Sequence, residues 1–208
     1  CEICDAAYKQ FSCCTIRKSG KKELDLSKIK NLLKEITSGS LMNLNVLGGN
    51  ILAYSNFAEL VETLNKESVQ KSYVVHYKNI IGKKRYLEIM DSGSSVLNIL
   101  VTFPIDKEKL HSALETANAS GADAKFTFIL QDETDFEAAE TMNDSLQRPV
   151  SDFKPFFNGD NLEFFQSNVY FEKEEILEAK PSLKEIYRNS QVNSLNFGRL
   201  VIFGNGHI

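Results

Sequence analysis

All four cysteines of the 208-residue chain lie within its first fourteen positions, Cys1, Cys4, Cys13 and Cys14, in the spacing C-x2-C-x8-C-C. Thiolates this close together can converge on one soft centre, a metal ion or an iron-sulfur cluster, because the chain between them is short enough to loop around it. The bland alternative is a set of reduced, partly buried thiols or a disulfide. The spacing matches neither the two separated knuckles of a zinc ribbon nor a ferredoxin run. A second candidate is Gly48-Gly49-Asn50, which follows an alternating segment and opens a helical period. With no Cβ in the way, backbone N–H groups there can approach a ligand closely, and the structural alternative is a tight turn needing positive φ.

Other chemistries lack their residues. There is no G-x-G-x-x-G and no G-x-x-x-x-G-K-[ST], which disfavours a dinucleotide or a nucleoside triphosphate on a phosphate loop. His76, His111 and His207 are scattered, and neither a G-x-S-x-G elbow nor an H-E-x-x-H helix occurs, so hydrolysis has no visible nucleophile with its base. Asp132, Glu133 and Asp135 follow a strand, where an α/β sheet presents its functional loops, but capping a helix is the simpler role for them.

The elements that must position these residues alternate. Leu26, Ile29, Leu32, Leu33 and Ile36 share one helix face, and the helix is expected to stop near Gly39. Leu41–Leu47 alternates as a strand, and Phe57, Leu60, Val61 and Leu64 return to helical spacing. Tyr73–Tyr77 reads as a strand, while Tyr86–Met90 fits a short helix or a strand. Val96–Phe103 is a strand closed by Pro104, followed by a helix capped by Asp106 and ended by Gly121. Ala124–Leu130 alternates again before a helix capped by Asp132 or Thr134. Strands separated by single helices predict right-handed crossovers of a parallel sheet, hence an α/β fold, barrel or doubly wound.

From Pro149 the texture changes to dense aromatics, Phe153, Phe156, Phe157, Phe164, Phe165, Tyr170 and Phe171, around Asn158-Gly159-Asp160-Asn161. No Lys/Arg stripe accompanies them, so Phe164 and Phe165 read as core or as a lid over the open end of the sheet rather than as base-stacking groups. Glu174–Leu177 and Pro181–Tyr187 predict two short helices, and Leu200–Phe203 a last strand.

With 24 Lys+Arg against 28 Asp+Glu, net charge −4 and mean hydropathy −0.25, the chain has no basic field for nucleic acid. No apolar run reaches the 18 or so residues of a spanning helix, and the N-terminus lacks the order of a signal peptide. A cytoplasmic protein with neither nucleic-acid nor membrane partners is expected. The start at Cys1 and the final Gly204-Asn205-Gly206-His207-Ile208 read as a piece of a longer chain.

A cysteine loop, a helix, a strand ending in a glycine pair and further β/α units resemble the radical S-adenosylmethionine superfamily. There, cysteines at C-x3-C-x2-C bind a 4Fe-4S cluster, and a Gly-Gly-Glu-Pro turn holds the methionine part of the cofactor. Here the corresponding turn is Gly48-Gly49-Asn50-Ile51, and the cysteine loop is altered as well. With the phrases AYKQFSCC, NVLGGNILAY and PFFNGDNLEFF, the chain is most similar to the degenerate pseudo-radical-SAM proteins of double-glycine-leader peptide maturation systems. The resemblance implies a partial (β/α)6 TIM-like barrel whose first strand lies outside the chain. Residues 1–150 would carry the core repeats, and 151–208 the last barrel elements and the lead-in to a SPASM-like segment. It further implies a non-catalytic protein that binds a leader peptide or an active radical SAM maturase. The enzymatic alternative would hold a 4Fe-4S cluster on Cys1, Cys4, Cys13 and Cys14 and S-adenosylmethionine at Gly48, Gly49 and Asn50. A metal-stapled structural domain is the third possibility.

Overall fold

The computed structural model describes residues 23–37, 43–47, 50–90, 93–146, 150–191, 200 and 202. Helix α1 (Leu26–Thr37) leads into strand β1 (Asn43–Val46). A 3-10 turn (Ile51–Ala53) and α2 (Phe57–Asn65) carry the chain to β2 (Gln70–His76). Helices α3 (Tyr77–Ile80) and α4 (Lys84–Met90) precede β3 (Ser95–Thr102), α5 (Lys107–Ser120) precedes β4 (Ala124–Leu130), and α6 (Glu133–Ser145) precedes β5 (Val150–Pro155). Three short helices follow, α7 (Leu162–Val169), α8 (Lys173–Glu178) and α9 (Leu183–Gln191).

The five strands pair in parallel in the order in which they occur along the chain. A doubly wound sheet reverses its strand order at a switch point, and none is present here. Same-handed crossovers between successive neighbours put every connecting helix on one face, so the sheet curls into a half-barrel with helices outside.

The core is the layer between helices and sheet. Strand alternation sends Tyr73, Val75, Leu97, Ile99, Val101, Ala124, Phe126, Phe128 and Leu130 into it, where they meet Leu60, Val61 and Leu64 of α2, Leu87 of α4 and Leu110, Ala113 and Ala117 of α5. The period-two rule leaves the opposite, concave face to Asn43, Asn45, Ser72, His76, Asn98, Thr102, Lys125, Thr127 and Asp152, interspersed with Val74, Val96, Leu100 and Ile129.

Local signals act where the sequence puts them. Asp106 Oδ1 accepts from the Lys109 amide at 3.1 Å to cap α5, which ends at Gly121 with φ 71°. Asp132, rather than Thr134, caps α6 by accepting from the Asp135 amide at 2.8 Å. Tyr86–Met90 falls within helix α4, because Leu87 and Met90 both turn into the core. The helix expected at Asn50 begins later: Asn50 opens the 3-10 turn, and α2 starts at Phe57. α9 starts at Leu183, with Ser182 Oγ accepting from the Glu185 amide, rather than at Pro181. Of Leu200–Phe203 only Leu200 and Ile202 are described, neither in a strand, and Gly39 lies outside the described residues.

Candidate functional site

Each crossover returns from the carboxyl ends of the strands, and that end gathers the polar groups. After β1, Ile51 and Leu52 are buried and fix the 3-10 turn to the core, with the Ala53 amide donating to the Asn50 carbonyl at 3.1 Å. Asn50 Oδ1 is buried and accepts no hydrogen bond among the described residues. A buried amide oxygen without a donor costs about 1–3 kcal/mol, so it is an acceptor waiting for a group to fill it. Gly48 and Gly49 lie outside the described residues, as do Cys1, Cys4, Cys13 and Cys14.

The same turn holds the chain that enters α1. Tyr54 OH donates to the Leu24 carbonyl at 2.8 Å, while the Ser55 amide and hydroxyl both donate to Glu23 Oε2, at 3.2 and 2.5 Å. Burial first, with Glu23, Asp25 and Glu59 adding repulsion, raises the Tyr54 phenol above its ordinary value against a lowering hydrogen bond with Asn56, which keeps it a donor. Glu23 and Leu24 are therefore held beside the 3-10 turn that Asn50 opens. An extended chain advances at most about 3.5 Å per residue, which puts Cys13 and Cys14 within ~35 Å of that point. The double change Tyr54→Phe with Ser55→Ala should speed amide exchange at Ser27 and Ile29, which bond Asp25 at the start of α1, by about tenfold or more, because both hydroxyl ties are lost and only the amide of residue 55 still reaches Glu23. Unchanged exchange in a mass-spectrometric time course would show that the entry point is held by something else.

Further along the edge, His76 ends β2 and is 3% exposed. Its Nδ1 accepts from the Lys78 amide at 3.3 Å, which leaves the proton on Nε2, 2.9 Å from Thr102 Oγ1. In that tautomer the imidazole donates to the threonine and does not serve as its base, so the pair positions two strands instead of activating a nucleophile. One step below, Thr127 Oγ1 donates to Asn98 Oδ1 at 2.8 Å. These cross-strand pairs stitch β2 to β3 and β3 to β4 on the concave face.

Between β4 and β5 the Asn158-Gly159-Asp160-Asn161 loop folds onto the strand ends. Asn161 Nδ2 donates to the Gln131 carbonyl at 2.6 Å and the Phe156 carbonyl at 2.8 Å, its Oδ1 accepts from the Asn158 amide at 2.9 Å, and Asn158 Nδ2 donates to Gln131 Oε1 at 3.0 Å. Gly159 has φ 110°, a backbone that side chains resist. Asp135 Oδ2 accepts from the Gln131 amide at 2.9 Å. Its carboxyl is raised, chiefly by burial and also by the Asp132 charge, although the Gln131 bond lowers it. Of the aromatics, Phe164 packs against the core while Phe165 meets Phe157 and Tyr170.

Among the described residues no three His, Cys, Asp or Glu side chains gather to hold a metal ion, and no helix is long and apolar enough to cross a membrane. No protein-family model matches the chain, and no curated protein matches it. Asn50 stands out along the sequence and Asn161 does so as part of its loop, whereas Tyr54, Thr102 and Asn98 emerge only from the fold. In β3, Asn98 and Thr102 are the polar members of the face opposite Leu97, Ile99 and Val101, a face they share with Val96 and Leu100, so the strand shows no clean alternation.

Proposed function

We propose that the chain is a catalytically degenerate radical-SAM-like barrel of the cytoplasm that serves the maturation of ribosomally made peptides by binding a leader peptide or an active maturase. The observation that supports this reading is the tie of Glu23 and Leu24 to Ser55 and Tyr54, because it holds the chain that follows the cysteine-bearing sequence beside the 3-10 turn that Asn50 opens. The singly wound parallel sheet agrees with a partial barrel of that type, and Asn43, Asn45 and Ser72 on its concave face offer amide and hydroxyl groups to a polypeptide. Degeneracy rests on the two altered motifs, the C-x2-C-x8-C-C spacing and Asn50 in place of the acidic residue of the superfamily turn.

One observation favours the enzymatic reading. S-adenosylmethionine carries an ammonium group, and the buried Asn50 Oδ1 is an acceptor that lacks a donor among the described residues, so this one residue fits that part of the cofactor. When bound with a reduced cluster, the cofactor would supply a carbon radical. Asn50, with the Gly48 and Gly49 backbone, would hold its methionine end, and Cys1, Cys4, Cys13 and Cys14 would be the cluster ligands.

The test is anaerobic reconstitution with iron and sulfide, followed by reduction in the presence of S-adenosylmethionine and an assay for 5'-deoxyadenosine, run beside fluorescence anisotropy with a labelled double-glycine leader peptide and pull-down with its maturase. The expected result is binding of peptide or maturase with no cofactor cleavage. Formation of 5'-deoxyadenosine would establish the enzyme instead. Zinc without iron, with no binding of either partner, would leave a metal-stapled domain.

A further inference from the structure

Beyond β5 the chain carries an apolar surface that its own core does not use. Phe171, Ile176, Leu177, Leu183, Ile186 and Tyr187 are 50% to 85% exposed, and neither α8 nor α9 joins the core cluster. On α9, Leu183, Ile186 and Tyr187 stand three and four residues apart on one face, so the exposure is organised as a stripe. Large apolar side chains exposed along one helix face in this way mark an interaction site.

The charges beside it are divided between the two helices. Acidic groups crowd α8, with Glu172, Glu174, Glu175 and Glu178 against Lys173 alone. Glu175 is engaged at the helix start, where it accepts from the Glu172 amide at 2.7 Å, while Glu174 and Glu178 make no ion pair among the described residues. Toward α9 the free charges are Lys180 and Lys184, also without an ion pair among the described residues, because Glu185 is engaged by the Ser182 amide and hydroxyl at 2.8 Å.

We propose that this surface is the interface of a two-fold homodimer, with α8 of one protomer lying on the α9 region of its partner. A second copy is the occupant the chemistry selects. A two-fold axis presents the same surface twice, and only the exchange of α8 for α9 sets Glu174 and Glu178 opposite lysines while covering both apolar stripes. Pairing α8 with α8 would oppose carboxylates, and pairing α9 with α9 would oppose ammonium groups.

Sedimentation equilibrium of the full chain tests this directly. The wild type is expected to be dimeric, and Ile186→Asp to weaken association by about thirtyfold or more through the centre of the patch, with an unchanged far-ultraviolet circular dichroism spectrum. Glu174→Lys with Glu178→Lys makes both helices basic, Lys180→Glu with Lys184→Glu makes both acidic, and either pair should weaken association by about thirtyfold. Mixed together, the two reversed proteins should recover near wild-type association as a heterodimer, since each α8 then meets an opposite α9. A wild type that stays monomeric at every concentration, or reversed variants that associate like the wild type, would overturn the proposal. So would a mixture that stays monomeric.

Discussion

Asn161→Ala is expected to lower the unfolding free energy by about 3 kcal/mol, more than any other substitution outside the core at the carboxyl end of the sheet. The side chain closes three hydrogen bonds at once: its amide nitrogen donates to the Gln131 and Phe156 carbonyls, and its oxygen accepts from the Asn158 amide. Truncation leaves two part-buried carbonyls without that donor, and each net bond is worth about 1 kcal/mol before the cost of an unsatisfied group is added. Gln131 extends β4 and Phe156 extends β5, where the Phe156 amide donates to the Leu130 carbonyl at 2.7 Å, so the loop holds two strand ends at a fixed separation. Asn161→Asp is a sharper probe, because it keeps the acceptor for Asn158 but turns a carboxylate toward two carbonyl oxygens. It should be at least as damaging as alanine. Asn168→Ala is the control: it removes bonds from Asn168 Nδ2 to the Phe164 carbonyl and to Ser167 on an exposed helix and should cost about 0.5 kcal/mol or less. Urea unfolding of the four proteins decides the matter, and equal midpoints for Asn161→Ala and Asn168→Ala would show that the loop does not brace the mouth.

Much of the half-barrel is legible along the chain because its information is local. Phe57, Leu60, Val61 and Leu64 follow the helical period, and all four are buried. The Ala124–Leu130 alternation sends Phe126 and Phe128 inward, and Asp106, Gly121 and Asp132 mark helix ends by their own side-chain or backbone chemistry. What one pass along the sequence misses is pairing between distant residues. Tyr54 meets Leu24, His76 meets Thr102, Thr127 meets Asn98 and Asn161 meets Gln131, in each case across 26 to 30 residues of chain. No residue in these pairs carries a local mark of its partner, because the strand register that joins them is set by the whole apolar layer. The NGDN loop is the instructive case. Its composition announces a turn, but the function of the turn, tying β4 to β5, depends on carbonyls contributed by Gln131 and Phe156. Asn50 is the opposite case, since the sequence places it after a strand while only the fold shows its oxygen buried without a partner among the described residues.

Lys71→Met should make the protein more stable at neutral pH by about 1–3 kcal/mol, an unusual sign for a buried position. β2 alternation turns Lys71 to the same side as Tyr73 and Val75, where it is 1% exposed. Among the described residues its ammonium donates to the Ser94 hydroxyl at 3.0 Å, a neutral partner that satisfies one of three donors and none of the charge. Burial pushes the amine below its ordinary value of 10.5, with Glu67 acting in the opposite direction. The sign of the pH dependence follows. Unfolded Lys71 holds its proton up to about 10.5, whereas the folded amine releases it earlier, so the unfolded state binds more protons in that interval and stability rises with pH through it. Methionine removes the term, which makes the advantage of the variant largest at neutral pH and smaller as 10.5 is approached. Tyr73, whose phenol burial pushes up to about 12, contributes the reverse slope above about pH 10 in both proteins and cancels in the difference. Urea midpoints between pH 7 and 10.5 measure that difference, and a variant that is less stable at neutral pH, or a gain that does not change with pH, would mean that the Lys71 charge is compensated in the folded protein.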